Sequence, residues 1–137
     1  MNMRNKNEFI KSKVGLLKQA RLTLLQLHKL FVDAERREFE KINGEISSGQ
    51  FLNLLVNDAN FQWLRKFSIL IVEIDEMFDL KDGHPEILVE KYLSQILNLI
   101  NHELADESFE VKYNAFMRDH TDISIKHNEL KKLLIDV

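Results

Sequence analysis

The strongest constraint on the fold is a long run of apolar residues at helical spacing near the start of the chain. Over residues 14–42 an apolar side chain recurs every three or four positions, which places one continuous stripe on one face of a helix: Leu17, Ala20, Leu24, Leu27, Phe31 and Ala34. The run stops at Asn43-Gly44, where glycine can adopt the left-handed conformation that closes a helix. A long amphipathic first helix is therefore predicted.

Similar stripes and capping signals predict the other helices. Ser47 followed by Gln50 has the pattern of a capping box, and Asp58 or Asn60 can cap the segment that comes next. The predicted helices after the first cover residues 48–56, 61–80, 86–104, 108–118 and, with Asp122 as the cap, 122–134. A chain of 137 residues can bury a core without a metal or a disulfide. We therefore predict an all-α fold, a single-domain helical bundle of about five or six helices over residues 1–137.

The third predicted helix is apolar on two sides. Its broad face carries Trp63, Phe67 and Ile74, while Ile69 and Val72 lie on the opposite side between Arg65 and Glu76. Such a helix lies at the centre of a bundle or offers its second side to another chain. We expect a central position, and Ile69 and Val72 are the candidate interface residues, either for a homodimer or for another protein.

A cluster of charges is expected where the first helix ends. Continuing the apolar stripe puts Glu38 at a core position and Glu35 at its edge, and a buried carboxylate needs a partner. Arg65 is the expected partner, because it is the only arginine of the third predicted helix and lies near its start, which faces the end of the first helix if the two run antiparallel. Three interpretations stay open: a structural ion pair, a polar pocket in which Glu35, Glu38 and Arg65 bind a ligand beside Trp63, or glutamates that reach solvent at a frayed end.

Signatures of common catalytic and metal sites are missing from the sequence. None of the five histidines follows a glutamate by three residues or another histidine by four, and there is no cysteine. Four glycines are too few and too scattered for a P-loop or a dinucleotide fingerprint, and no spacing suggests a Ser-His-Asp triad. We therefore predict no metal, no cofactor and no catalytic residue, and the sequence favours a protein that is not an enzyme.

The charges are unevenly distributed along the chain. Residues 1–21 hold six basic side chains and one acidic side chain, a net charge of +5, whereas the remaining 116 residues hold 13 basic and 21 acidic side chains, a net charge of −8. Residues 1–13 are expected to form a basic, partly disordered leader, either as a solvated, fraying helix start or as a segment that contacts RNA, an anionic membrane or the acidic surface of a partner. Base readout in duplex DNA is not favoured, because Phe61, Trp63 and Leu64 occupy the start of the third helix. With neither a membrane span nor a secretion signal, the cytoplasm is the expected location.

Residues 33–76 contain blocks that resemble a recurring pattern in small bacterial proteins. The resemblance depends mainly on Trp63-Leu64-Arg65 and Ile74-Asp75-Glu76, and Ala59 stands where many members have proline. The chain is thus similar to an uncharacterised family of small bacterial all-helical proteins. The resemblance implies a bacterial helical protein and supplies no substrate, cofactor or catalytic residue.

Two functions follow as hypotheses. The first is a non-enzymatic interaction or regulatory protein, a homodimer or a binder of another protein, that uses the face of Ile69 and Val72 or part of the long first helix. The alternative is a small-molecule-binding bundle, either a binding protein or an enzyme, whose pocket lies where Glu35, Glu38, Trp63 and Arg65 converge.

Overall fold

Helices account for all of the regular secondary structure in the described chain. The computed structural model describes the backbone of residues 3–102 and 106–135, and within those ranges the side chains from residue 13 onward. Its elements are α1 (Met3–Asn43), α2 (Ser48–Asn57), a 3-10 helix (Ala59–Leu64), α3 (Arg65–Phe78), α4 (Glu86–Ile100), α5 (Glu107–Asp119) and α6 (Thr121–Leu134). The prediction of an all-α bundle is confirmed, with six α-helices and no strand in the described residues.

The long first helix is the central element of the bundle. All six residues of its predicted stripe are fully buried, and α6, α4 and α3 pack around it. At 1.5 Å per residue, its 41 residues span about 61 Å, whereas α3 to α6 span about 20 to 23 Å each. The expectation that the third helix lies at the centre is therefore wrong, because α1 is the element long enough to contact most of the others.

Local sequence signals explain where most helices begin and end. The Ser47 hydroxyl accepts a hydrogen bond from the Gln50 backbone N–H at 3.1 Å, and the Gln50 side chain accepts one from the Ser47 N–H at 2.9 Å, so the predicted capping box is confirmed. Gly44 has a φ of 82° just after α1, and its N–H donates to the Glu40 carbonyl at 2.9 Å. Only glycine adopts this conformation without strain, so the sequence stops α1 here.

Other boundaries differ from the prediction. The segment predicted as the start of the third α-helix is a 3-10 helix, capped by Asp58, whose carboxylate accepts from the Asn60 N–H at 2.8 Å. The fourth helix ends at Ile100 rather than at residue 104, and residues 103–105 lie outside the described chain. The last helix begins at Thr121, so Asp122 lies in its first turn and does not cap it.

The predicted basic leader lies almost entirely at positions whose side chains are outside the description. The backbone of α1 begins at Met3, but residues 1–2 and the side chains of residues 3–12 are not among the described parts. The side chain of Lys13 is described, and its ammonium group contacts the carboxylate of Glu90 on α4 at 2.7 Å. A partner-binding role for residues 1–13 therefore stays a prediction.

Aromatic rings fill the centre of the bundle. The ring of Phe31 on α1 lies with its centroid 5.0 Å from that of Trp63, 5.5 Å from that of Phe67 and 4.8 Å from that of Tyr113. These rings come from α1, the 3-10 helix, α3 and α5, so a single cluster holds four elements together. An ion pair between Arg21 and Asp75 joins α1 to α3 at the edge of this core.

Candidate functional site

Glu35 is a buried carboxylate at the junction of three elements. Its residue is 4% exposed, and its Oε2 atom accepts a hydrogen bond from Nε1 of Trp63 at 3.0 Å. The ammonium group of Lys112 on α5 lies 3.3 Å from Oε1 and 3.2 Å from Oε2. The carboxylate therefore joins α1, the 3-10 helix and α5, and its negative charge is balanced by a lysine that still reaches solvent.

The indole of Trp63 is packed on several sides. Its ring lies 5.9 Å from Phe116 in a stacked arrangement and makes edge contacts with Phe109 at 5.8 Å and Phe67 at 6.2 Å. Its one polar atom points at Glu35. Because the indole N–H donates to the carboxylate, the buried indole has no free donor for a ligand.

The structure does not bring the four predicted pocket residues together. Arg65 is exposed, and its Nη2 atom donates to the backbone carbonyl of Val56 at 2.6 Å, so the expected pairing with the glutamates is wrong. Residues two positions apart on a helix point in nearly opposite directions, and therefore Arg65 cannot face Glu35 while Trp63 does. Glu38 pairs with Lys41 at 3.3 Å with its side chain 47% exposed, because α1 extends past the elements that cover it.

Sequence reasoning missed Lys112 as the partner of Glu35. The lysine is 77 positions away in the chain and lies on α5, whereas helix periodicity pointed to an arginine at the start of the third predicted helix. A signal existed: Lys112 stands directly beside the buried stripe of α5, which consists of Phe109, Tyr113 and Phe116. A cation on the flank of a buried aromatic stripe is well placed to reach a carboxylate at the core edge.

Arg65 instead lines a cleft of about 220 Å³ that lies between α1, α2, the 3-10 helix and α3. The walls are mainly apolar, from Val32, Leu55 and Phe61, and His28 also contributes. The imidazole of His28 stacks on Phe67 at 5.7 Å, and burial lowers the pKa of His28. Neither Glu35 nor Trp63 lines this cleft.

A buried tyrosine and a buried histidine form another polar contact. The Tyr113 hydroxyl and Nδ1 of His127 are 2.6 Å apart, and the ring of His102 meets Tyr113 edge-on at 4.4 Å. Burial, followed by the charges of Lys131 and His102, lowers the pKa of His127 to about 4. Burial also raises the pKa of Tyr113, so both groups stay neutral near pH 7 and share one hydrogen bond.

The predicted interface residues lie on an open face of α3. Ile69 is 56% and Val72 is 52% exposed, whereas the opposite face of the same helix is buried through Phe67, Ile71 and Ile74. Arg65 and Glu76, one turn before and one turn after them, are also exposed. We call Arg65, Ile69, Val72 and Glu76 the α3 stripe.

A groove of about 340 Å³ separates α3 from α4 beside this stripe. Leu70 and Leu99 contribute apolar walls, and Ile69 belongs to both the groove and the α3 stripe. The polar residues around the groove are Lys66, Glu73, Gln95 and Asn98. Its volume lies at the lower end of the range seen for ligand sites, and its walls mix apolar and amide groups.

The described residues form neither a metal-binding cluster nor a membrane-spanning helix, and no similar protein was found. Among the described side chains, those of residues 13–102 and 106–135, there is no group of three histidine, aspartate or glutamate residues arranged to hold a metal ion. Over the same described residues, no helix combines the length and apolar character needed to cross a membrane. Comparisons with protein-family profiles, with curated proteins and with solved structures found no match to this chain.

Proposed function

We propose that this protein is a non-enzymatic interaction protein that docks a protein partner on the α3 stripe. The observation that carries the proposal is the exposure of Ile69 and Val72 in the middle of a helix whose other face is buried. Single exposed apolar residues are common, but these two are neighbours, and the apolar lip of the α3–α4 groove adjoins them.

The apolar surface continues from α3 onto α2. The Arg65 guanidinium is bonded to the carbonyl of Val56, so Val56 lies next to the start of the α3 stripe. Val56 and Leu52 are both exposed and are four positions apart, which places them on one face of α2. Each of these side chains is already about half buried, so covering the remainder at an interface contributes about 1 kcal/mol, and the four together form the apolar centre that a specific interface needs.

The alternative, a small-molecule site at Glu35, Glu38, Trp63 and Arg65, has less support. Glu35 is already paired with Trp63 and Lys112, and the other two residues point elsewhere. A bacterial source, suggested by the resemblance of residues 33–76, and a cytoplasmic location belong to the same proposal as the docking function.

Comparative affinity purification from cells that naturally express the protein tests this proposal. Wild type and Ile69→Asp would be captured through the same tag after cross-linking, and all captured proteins, including untagged copies of the chain, would be quantified. Val111→Asp and Ile125→Asp are matched controls, because both residues are 61% exposed but lie on α5 and α6.

We expect at least one partner to fall by about tenfold or more with Ile69→Asp, since tenfold corresponds to about 1.4 kcal/mol, while the two controls retain it. Equal capture of every protein by all four forms would contradict a docking role for the α3 stripe.

A further inference from the structure

The α3 stripe has a pattern that is complementary to itself when one copy is reversed. Read forward, it consists of a cation, two apolar residues and an anion at spacings of four, three and four: Arg65, Ile69, Val72 and Glu76. At about 100° per residue, the four side chains fall within about 60° of one another on the helix surface. Read backward from a second copy, the same positions present an anion, two apolar residues and a cation.

We propose that the partner on the α3 stripe is a second copy of this chain, with the two α3 helices packed antiparallel about a two-fold axis between positions 70 and 71. This inference rests on the proposed docking function. Arg65 then faces the partner's Glu76, and Ile69 faces the partner's Val72. A two-fold interface uses the same patch on both subunits, so each contact occurs twice.

The charges beside the stripe select the same orientation. Lys66 and Glu73 are seven residues apart on the groove side of α3, and the Lys66 ammonium group lies 3.7 Å from the Asp106 carboxylate of its own chain. An antiparallel copy brings the same ammonium group close to the partner's Glu73 as well. Glu73 and Glu76 form no ion pair within the described part of the chain, whereas the nearby Asp75 is already paired with Arg21. A parallel arrangement would instead place Arg65 against the partner's Arg65 and would be repulsive.

Apolar residues at both ends of the stripe extend the interface. Leu52 and Val56 flank the Arg65 end through the bond between Arg65 and Val56, and the exposed Leu80 follows the Glu76 end. In the antiparallel arrangement, the partner's Leu80 approaches Val56. Because α3 is only about 21 Å long, the complete contact is of modest size, and a concentration-dependent dimer follows.

Charge reversal in the purified full chain tests the orientation. In Arg65→Glu alone, and in Glu76→Arg alone, both cross-subunit pairs become repulsive. In an equimolar mixture of the two variants, a mixed dimer restores two attractive pairs. Sedimentation equilibrium over a concentration series should show at least about tenfold weaker dimerisation for each variant and recovery to within about threefold of wild type for the mixture.

Two further sets of variants keep the result interpretable. Lys66→Glu and Glu73→Lys repeat the test without touching the bond from Arg65 to Val56, and their mixture should recover in the same way. Lys66→Glu also removes the ion pair between Lys66 and Asp106 within one chain, whereas Glu73→Lys removes no intrachain ion pair of the described residues. Arg37→Glu and Glu38→Arg make the same charge changes at the end of α1, outside the α3 stripe, and should leave dimerisation within about threefold of wild type.

A wild-type chain that stays monomeric at the highest concentration would overturn the inference. So would single variants that dimerise as strongly as wild type, which a parallel pairing predicts because its Arg65–Arg65 and Glu76–Glu76 contacts are already repulsive in wild type. Mixtures no stronger than the single variants would overturn it as well. If the wild type is monomeric but another protein is lost with Ile69→Asp in the affinity purification, the self-pairing fails while the docking function stands. If Ile69→Asp changes neither capture nor dimerisation, both fail.

Discussion

Glu35 is the buried acidic side chain in the described part of α1. A buried carboxylate without partners would be strongly unfavourable, but Trp63 donates one hydrogen bond to it and Lys112 supplies the opposite charge. The side chain of Lys112 remains partly exposed, so its positive charge stays partly solvated in the ion pair with Glu35. The contact therefore orients the indole and connects three elements.

Removing the carboxylate should destabilise the fold. Glu35→Ala leaves the buried Trp63 N–H without an acceptor, and we expect the free energy of unfolding to fall by about 2 to 3 kcal/mol. Glu35→Gln keeps an acceptor and should cost about 1 kcal/mol, while Glu38→Ala, at the exposed end of α1, should cost less than about 0.5 kcal/mol. Urea unfolding followed by the fluorescence of Trp63, the only tryptophan, measures all three. Equal losses for Glu35→Ala and Glu38→Ala would refute the assigned contact.

At this scale the prediction that Glu38 takes a core position and Glu35 its edge is wrong, because Glu35 is buried and the Glu38 side chain is 47% exposed. The sequence also did not identify the residue that pairs with Glu35. Periodicity locates a residue on a face, and on that basis Glu35 could be placed near Trp63. The partner Lys112 depends on how α5 packs, 77 positions later, and no local pattern encodes that distance.

At the scale of elements, the contact between Tyr113 and His127 joins α5 to α6. Both side chains are buried, and the bond needs a neutral imidazole. The unfolded chain binds a proton at His127 near pH 6.5, whereas the folded chain does so only near pH 4. The stabilising contribution is therefore complete above pH 6.5 and is lost as the pH falls from 6.5 towards 4.

We predict that the free energy of unfolding decreases on acidification from pH 7 to pH 5. His127 alone should contribute about 1 to 2 kcal/mol of the decrease, and the lowered pKa values of His28 and His102 act in the same direction. His127→Gln should reduce the slope against pH, whereas Tyr113→Phe should lower stability at every pH and keep the slope. Urea titrations at several pH values give these slopes, and an unchanged slope in His127→Gln would disagree with the assignment.

The six α-helices were predicted close to their observed positions, because the sequence shows an apolar stripe or a capping pattern for each of them. The 3-10 helix was not predicted: residues 61–64 continue the apolar pattern of α3, yet they form a 3-10 helix that Asp58 starts. Periodicity cannot separate three residues per turn from 3.6 over so short a segment. The tighter turn was therefore invisible in the sequence.

At the scale of the whole molecule, α1 is the central helix because of its length, although the apolar composition of α3 suggested that α3 would be central. The apolar second side of α3 suggested a buried position, but α1 contacts more of the bundle and α3 keeps Ile69 and Val72 exposed. Apolar residues on two sides of α3 could mean a central helix or a helix with one apolar side exposed to another chain. The fold agrees with the second explanation, because Ile69 and Val72 face outward. That surface and its self-complementary charges are the basis for the proposed dimer.

The distance between matching positions on two copies tests this dimer most directly. Because the chain has no cysteine, Asp79→Cys supplies one spin-label site, at the exposed end of α3 and outside the α3 stripe. Antiparallel pairing about positions 70 and 71 separates the two labelled backbones by about 26 Å along the helices and about 9 Å across, or about 27 Å in total. Pulsed electron paramagnetic resonance should therefore give one intermolecular distance close to that value. No intermolecular distance, or one near 10 Å as parallel helices would give, would contradict the antiparallel dimer.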